Sequence, residues 1–266
     1  MLRGASAEAR KDLIQRMGDS GALDETAVLG AQLLAVAAVL RAQPALRRIC
    51  TDASLEAEAK VGLANDVFSS KLDDRALDVA RTAVQERWTS PADLADVLEE
   101  LGIQALVRSA GAAAPQVTDE LFSIAQMVVA NPELREALSD RSRSDDDKCA
   151  LLDAMLDGKV LPATLELVHL AEHSQLPIGR ALEVIEQVAA GTQEELLAVV
   201  HTAKPLGKAE VDRLSGALSK TYAATVHLHV IEDSSLIGGL RVEIGDDVID
   251  GSVAGRMADA RRRLAG

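Results

Sequence analysis

Two histidines four residues apart, His169 and His173, with Glu166 and Glu172 beside them, have the spacing that zinc chemistry uses on a helix. A metalloprotease pattern places Glu directly after the first His, and here Leu170 follows it, so a polar helix face is the better reading. His227 and His229 point to one face of a strand with no third ligand nearby in sequence, and read as ordinary exposed strand histidines. The run Asp145-Asp-Asp147 lacks the alternating ligands and Gly of a calcium loop, and suits a helix N-terminus, where the macrodipole favours negative charge. Gly238, Gly239 and Gly245 fit neither dinucleotide nor phosphate-loop spacing, and no GxSxG elbow occurs. Catalytic, cofactor and metal sites are therefore not expected.

The elements around these residues are mostly helical. Periodicity places helices at 6–17, 24–42, from Pro44 to near 51, and at 54–70, 73–88 and 91–108, which makes a six-helix bundle. A second block repeats the first. Aligning each residue with the one 88 positions later gives 12 identities over residues 42–94, among them Pro44 with Pro132, Arg47 with Arg135, Asp52 with Asp140 and Lys60 with Lys148. The small-residue stretch 109–115 marks the boundary.

After Gly191 the pattern changes. Residues 196–202 and 226–231 read as strands, 207–222 as an amphipathic helix, and 236–252 as strand, turn and strand leading into a terminal helix at 252–264. In that tail Gly238 and Gly239 suggest a bulge or close backbone approach, and Ser252 suits an N-cap. The expected fold is mainly α with a small α/β C-terminal domain: helical copies at 1–110 and 111–195, then a short sheet with helices at 196–266.

Composition narrows the function classes. The chain has 266 residues, a net charge of −14 and only 2% aromatic residues. The blocks 1–110, 111–198 and 199–266 carry −4, −10 and 0. Such acidity argues against binding nucleic acid through phosphates. Arg261-Arg-Arg263 reads as cations at a helix C-terminus. Cys50 and Cys149 form no metal or disulfide spacing, which fits a reducing cytoplasm. The longest uncharged run, Thr26 to Leu40, is shorter than a bilayer span, so no direct membrane span is expected.

The tail Asp233 to Val253, with its glycines at 238, 239, 245 and 251 and its Asp250-Gly-Ser252, resembles the C-terminal signature of the F-type ATP synthase delta subunit, or oligomycin-sensitivity-conferring protein, family. Val199-Val-His-Thr-Ala-Lys-Pro-Leu206 resembles the start of the same C-terminal domain, and Pro44-x-Leu-Arg47 with Lys60 resembles its helical domain. Glu232 and Ser234 stand where the family more often has an apolar residue and Pro, and the duplicated bundle resembles the enlarged actinobacterial form. The resemblance implies a non-catalytic stator subunit. Its bundle would bind the N-terminal helix of an alpha subunit on the catalytic head, and its C-terminal domain would hold the b-subunit stalk, so that rotary torque is coupled to ATP synthesis.

The complex would lie on the cytoplasmic face of the bacterial plasma membrane, with this subunit peripheral. Candidate contact residues are Leu29, Leu33, Val36 and Leu40, bordering a groove, and Val253 and Met257, facing a stalk helix. Gly238, Gly239, Gly245, Asp250, Gly251 and Ser252 form a structural signature. Two other readings stand beside this one: a generic helical adaptor, and an enzyme with a metal at His169 and His173.

Overall fold

Helix starts are written locally into the first 190 residues of the computed structural model, which describes residues 2–17, 22–140, 142–193, 195–245, 247–254 and 257. Helices α1 (Ala5–Met17) and α2 (Leu23–Ala42) are followed by α3 (Pro44–Thr51), which begins on proline, where a missing N–H costs nothing. Helix α4 spans Ala57–Phe68, and α5 (Asp74–Gln85) is capped by Asp73, whose carboxylate accepts the Ala76 N–H at 2.8 Å. Ser90 and Asp93 form a capping box at the start of α6 (Pro91–Ser109). A short 3-10 turn, Gly111–Ala113, replaces the expected linker and leads into α7 (Ala114–Ala130) and α8 (Pro132–Ser139). Helices α9 (Asp145–Leu156), α10 (Pro162–Glu172) and α11 (Ile178–Thr192) complete the series.

The 88-residue repeat is geometric as well as textual. Helix α8 is α3 displaced by 88 positions at both ends, and α9 is likewise α4 displaced. Equivalent contacts recur. Asp52 accepts hydrogen bonds from the Ser54 N–H and hydroxyl at 2.8 and 2.7 Å, and Asp140 accepts them from Ser142 at the same two distances. Arg47 donates to the Leu40 carbonyl at 3.1 Å and the Arg41 carbonyl at 3.5 Å, and Arg135 to the Val129 carbonyl, the counterpart of Arg41, at 3.2 Å. Each arginine thereby satisfies a carbonyl left open at the end of the preceding helix.

Helix α6 serves both copies. Its Leu94, Ala95, Val97, Leu98, Leu101 and Ala105 lie in the first core, with Leu33, Leu40, Leu77 and Phe68. Ile103, Leu106 and Val107 lie in the second, with Val117, Leu121, Leu167 and Leu182. Adding 88 to the bounds of α1 gives 93 and 105, inside α6, and α6 packs on α10 as α1 packs on α5. The last helix of the first bundle is thus the first helix of the second.

Helix α2 makes its main contact with α6. At their crossing Gly30 and Gly102 face each other's backbone: a Cβ on Gly30 would lie 2.9 Å from the Gly102 carbonyl, and one on Gly102 would lie 3.0 Å from the Gly30 carbonyl. By length and composition α2 is apolar enough to cross a membrane, which the shorter uncharged run did not anticipate because Asp24, Glu25 and Arg41 sit at its ends. Here Leu29, Leu33, Val36, Ala37 and Leu40 of α2 pack into the first core.

Residues 1–189 form one compact unit and 190–266 another. In the second unit β1 (Glu195–Thr202) and β2 (Thr225–Glu232) are parallel, joined through α12 (Lys208–Tyr222). Then β3 (Leu240–Ile244) pairs antiparallel with β1, and β4 (Asp247–Asp250) antiparallel with β3, giving the order β2-β1-β3-β4. Leu214, Leu218 and Tyr222 of α12 cover Ala198, Val200, Val226, Val242 and Ile244 on one sheet face. Ser215 donates to the Val226 carbonyl at 2.6 Å, and the Val226 N–H donates to Ser219 at 3.0 Å, fastening helix to strand. Of the expected terminal helix 252–264, Val253, Ala254 and Met257 are helical and the remainder lies largely outside the described residues.

The Asp-x-Ser turn occurs again in this unit, at Asp233–Ser235 and Asp250–Ser252, with the Ser N–H donating at 2.8 and 2.9 Å. All four carboxyls are held below their ordinary pKa. For Asp52, Asp233 and Asp250 the seryl hydroxyl is the larger cause and the N–H the second; for Asp140 the N–H of Ser142 leads. A lowered folded-state pKa contributes stability that is present above the unfolded value, about 4, and is lost as pH falls through the folded value. The urea midpoint is therefore expected to stay level from about pH 7 to 5 and to fall below about pH 4, less steeply in Ser142→Ala. A midpoint equally steep in that variant would assign the acid loss to other carboxylates.

Candidate functional site

The residues that suggested metal chemistry are engaged elsewhere. His169 Nε2 lies 2.7 Å from Asp153 Oδ1, and His173 Nδ1 lies 2.7 Å from the His169 backbone carbonyl. Glu172 is buried and pairs with Lys148 Nζ at 3.0 Å. The two imidazoles and Glu172 thus point to separate partners and do not converge. Asp145, Asp146 and Asp147 form the first turn of α9, where Ser144 accepts the Asp147 N–H at 3.1 Å, as a helix N-terminus requires.

His227 and His229 meet edge-on with ring centroids 5.0 Å apart, but His229 is only 3% exposed, which corrects the expectation of two exposed strand histidines. Both cysteines are free. Burial raises the Cys50 thiol pKa, and burial followed by Glu172 and Asp153 raises that of Cys149, so neither is poised as a thiolate.

The Lys148–Glu172 pair marks a difference between the copies. The positions 88 residues earlier are Lys60 and Val84, both buried. A charge matched in the second core is thus an apolar side chain in the first. A double-mutant cycle with Lys148→Met and Glu172→Val is expected to give a coupling of about 1–2 kcal/mol, with the double variant more stable than Lys148→Met alone. Strict additivity would show that the pair contributes nothing.

The glycine-rich tail is a backbone joint. Gly239 adopts φ +83°, and a Cβ there would sit 2.5 Å from the Gly251 carbonyl. This is the close approach expected, although the glycine pair lies in the loop before β3 and not inside a strand. The Gly251 N–H donates to Leu240 O and the Val253 N–H to Gly238 O, both at 2.9 Å, so residues 251–253 extend the β3–β4 pairing. Gly245 turns the hairpin at φ +57°, and Asp250 accepts the Ser252 N–H. The signature residues therefore shape the hairpin that carries the chain into its last segment.

Of the candidate contact residues, Leu29, Leu33, Val36 and Leu40 are interior, none more than 2% exposed. They are core packing of α2, and the exposed apolar residues of that helix are Leu23, Val28 and Val39. Val253 and Met257 are exposed, as are Ile237, Val248 and Ile249. The last three were not singled out by sequence reading. Adjacent apolar residues at 248 and 249 interrupt strand alternation, and that interruption was the available signal.

Comparison with known proteins gives concordant matches. The family model described as ATP synthase delta (OSCP) subunit matches residues 104–264. The chain is similar to the ATP synthase subunit delta of Nocardioides sp. (strain ATCC BAA-499 / JS614), at 49% identity over 100% of this chain and 98% of that protein. It is also similar to that of Thermobifida fusca (strain YX), at 36% identity over 100% of both. A chain in the cryo-EM structure of the Toxoplasma gondii mitochondrial ATP synthase hexamer aligns at TM-score 0.38 and 19% identity, covering 62% of this chain and 95% of that one.

Proposed function

Because the chain belongs to the ATP synthase delta (OSCP) subunit family, whose members are non-catalytic subunits of the F-type ATP synthase, we propose that it works as a peripheral-stalk clamp. It links the alpha/beta catalytic head to the b-subunit stalk, on the cytoplasmic face of the plasma membrane. A clamp needs binding surfaces on a rigid frame and no catalytic constellation, and the dispersal of the histidine and carboxylate candidates into local structural contacts fits that need.

The observation that carries the reading is where the family match begins. It starts at Gln104, inside α6, and takes in the second bundle and the C-terminal unit. On this basis residues 111–195 carry the head contact usual in the family, through the N-terminal helix of an alpha subunit, and residues 196–266 hold the b stalk. The block 1–110 is then an added bundle on the same frame. Net charge of −10 over 111–198 suits a basic partner helix.

Crosslinking within the assembled complex tests this division. Crosslinks to alpha are expected from 111–195 and to b from 196–266. A pull-down at physiological salt that recovers neither subunit would remove the clamp reading altogether.

A further inference from the structure

Among the described residues β4 has a neighbour on one side only, β3, and all four of its residues are exposed. Which backbone groups it leaves outward follows from one hydrogen bond. The Gly251 N–H donates to Leu240 O in the same register that pairs Arg241 with Asp250 and Val242 with Ile249. Antiparallel pairs alternate between hydrogen-bonded and non-bonded, so Ile249 and Asp247 turn their N–H and C=O toward β3, whereas those of Val248 and Asp250 point away from it.

Natural edge strands are usually blunted by Lys, Pro or a bulge. Here the strand is short and ends on two carboxylates, Asp247-Val-Ile-Asp250, which guards it against indiscriminate pairing, but it has no Lys or Pro, and its two β-branched residues suit a strand of opposite charge. Ile237, 84% exposed, lies in the loop beside it, next to the Gly238 that accepts the Val253 N–H.

We propose that β4 accepts an extended segment of a partner protein by strand addition, and that this segment carries two cations three residues apart with two β-branched residues between them. The charge pattern selects that occupant. A Lys or Arg opposite Asp247 and another opposite Asp250 pair with the two carboxylates, and β-branched residues meet Val248 and Ile249. A second copy of this chain is disfavoured, because antiparallel pairing of two β4 strands sets Asp247 against Asp250 at both ends. The proposal deepens the clamp reading and rests on it for the partner's identity; the edge geometry stands on β4 alone.

The test uses the full chain and the peptide acetyl-Ser-Thr-Lys-Val-Val-Lys-Thr-Ser-amide, followed by amide NMR shifts. Saturable shifts at Val248 and Asp250 are expected, weakened by salt. Val248→Pro removes an outward N–H and leaves the β3 ladder intact, and is expected to weaken binding at least tenfold; Val248→Thr keeps that N–H and should bind within about twofold of the parent. Asp247→Lys provides an independent variant, expected to lose binding by a similar factor and to gain affinity for the peptide with Glu in place of both Lys. No saturable shift in the parent chain, or equal binding by a folded Val248→Pro, overturns the proposal. Strand addition that succeeds while the pull-down recovers no b subunit would sink the clamp reading and leave the edge site standing.

Discussion

Valine at position 102 is expected to destabilise residues 1–189 by about 3 kcal/mol, the upper range for forcing atoms into a packed contact. The first atom of the new side chain already fails to fit. A Cβ on Gly102 lies 2.7 Å from Leu34 Cδ2, 2.8 Å from Leu34 Cγ and 3.0 Å from the Gly30 carbonyl. Leu34 can rotate, but the carbonyl belongs to a helical backbone and can retreat only if α2 separates from α6. Alanine brings the same contact with one atom, offset by its helix propensity advantage of about 1 kcal/mol over glycine, so Gly102→Ala should cost much less than valine. Gly30→Val should behave like Gly102→Val, since its Cβ meets the Gly102 carbonyl at 2.9 Å and Leu106 Cγ at 2.8 Å. Trp88, the only tryptophan, packs against the first core and donates its indole N–H to the Ala83 carbonyl at 2.9 Å, which makes its fluorescence a local probe. A melting temperature unchanged in Gly102→Val would mean that the helix crossing is looser than the backbone distances require.

Gln104→Pro is expected to cost at least about 3 kcal/mol and, more tellingly, to change the number of unfolding transitions. Position 104 lies in the stretch of α6 that serves both cores, between Ile103 of the second and Ala105 of the first. Proline there removes the bond to Glu100 O and crowds that carbonyl, bending the helix where the two cores join. In the parent chain both cores draw on one helix, so residues 1–189 should unfold together. In the variant, Trp88 fluorescence should report the first core at one urea concentration, while amide exchange of Leu121 and Leu167 reports the second at another. Coincident transitions in both proteins would show that the cores are coupled through other contacts.

The same helix shows what the sequence could and could not disclose. Period, helix count and the strand pattern of the last 70 residues were legible because each is a local regularity: prolines at 44 and 132 start α3 and α8, and the Asp-x-Ser turns at 52 and 140 follow them. The double use of α6 was hidden. Residues 93–105 match 5–17 at only Ala95 with Ala7 and Leu101 with Leu13, because α6 must fit two cores and α1 only one. The glycines at 30 and 102 are 72 residues apart and each looks like a mild helix defect alone; only their crossing gives them a reason.

The candidate contact residues on α2 lie in the interior for a related cause. Periodicity identifies which residues share a face, but Leu29, Leu33, Val36 and Leu40 share the inward one. The hairpin edge was half legible: the glycines announced a close approach, whereas the outward direction of the Val248 and Asp250 amides depends on register, which one hydrogen bond between Gly251 and Leu240 sets.

A continuous α6 also governs compliance. Two bundles joined by a flexible tether would hinge, and two joined by an apolar interface would slide, each yielding under small loads. Here, bending one bundle against the other strains the hydrogen bonds of an unbroken helix at Gly102–Val107, where it is gripped on both sides. The duplication therefore joins its two bundles through one unbroken helix, without a soft joint between them.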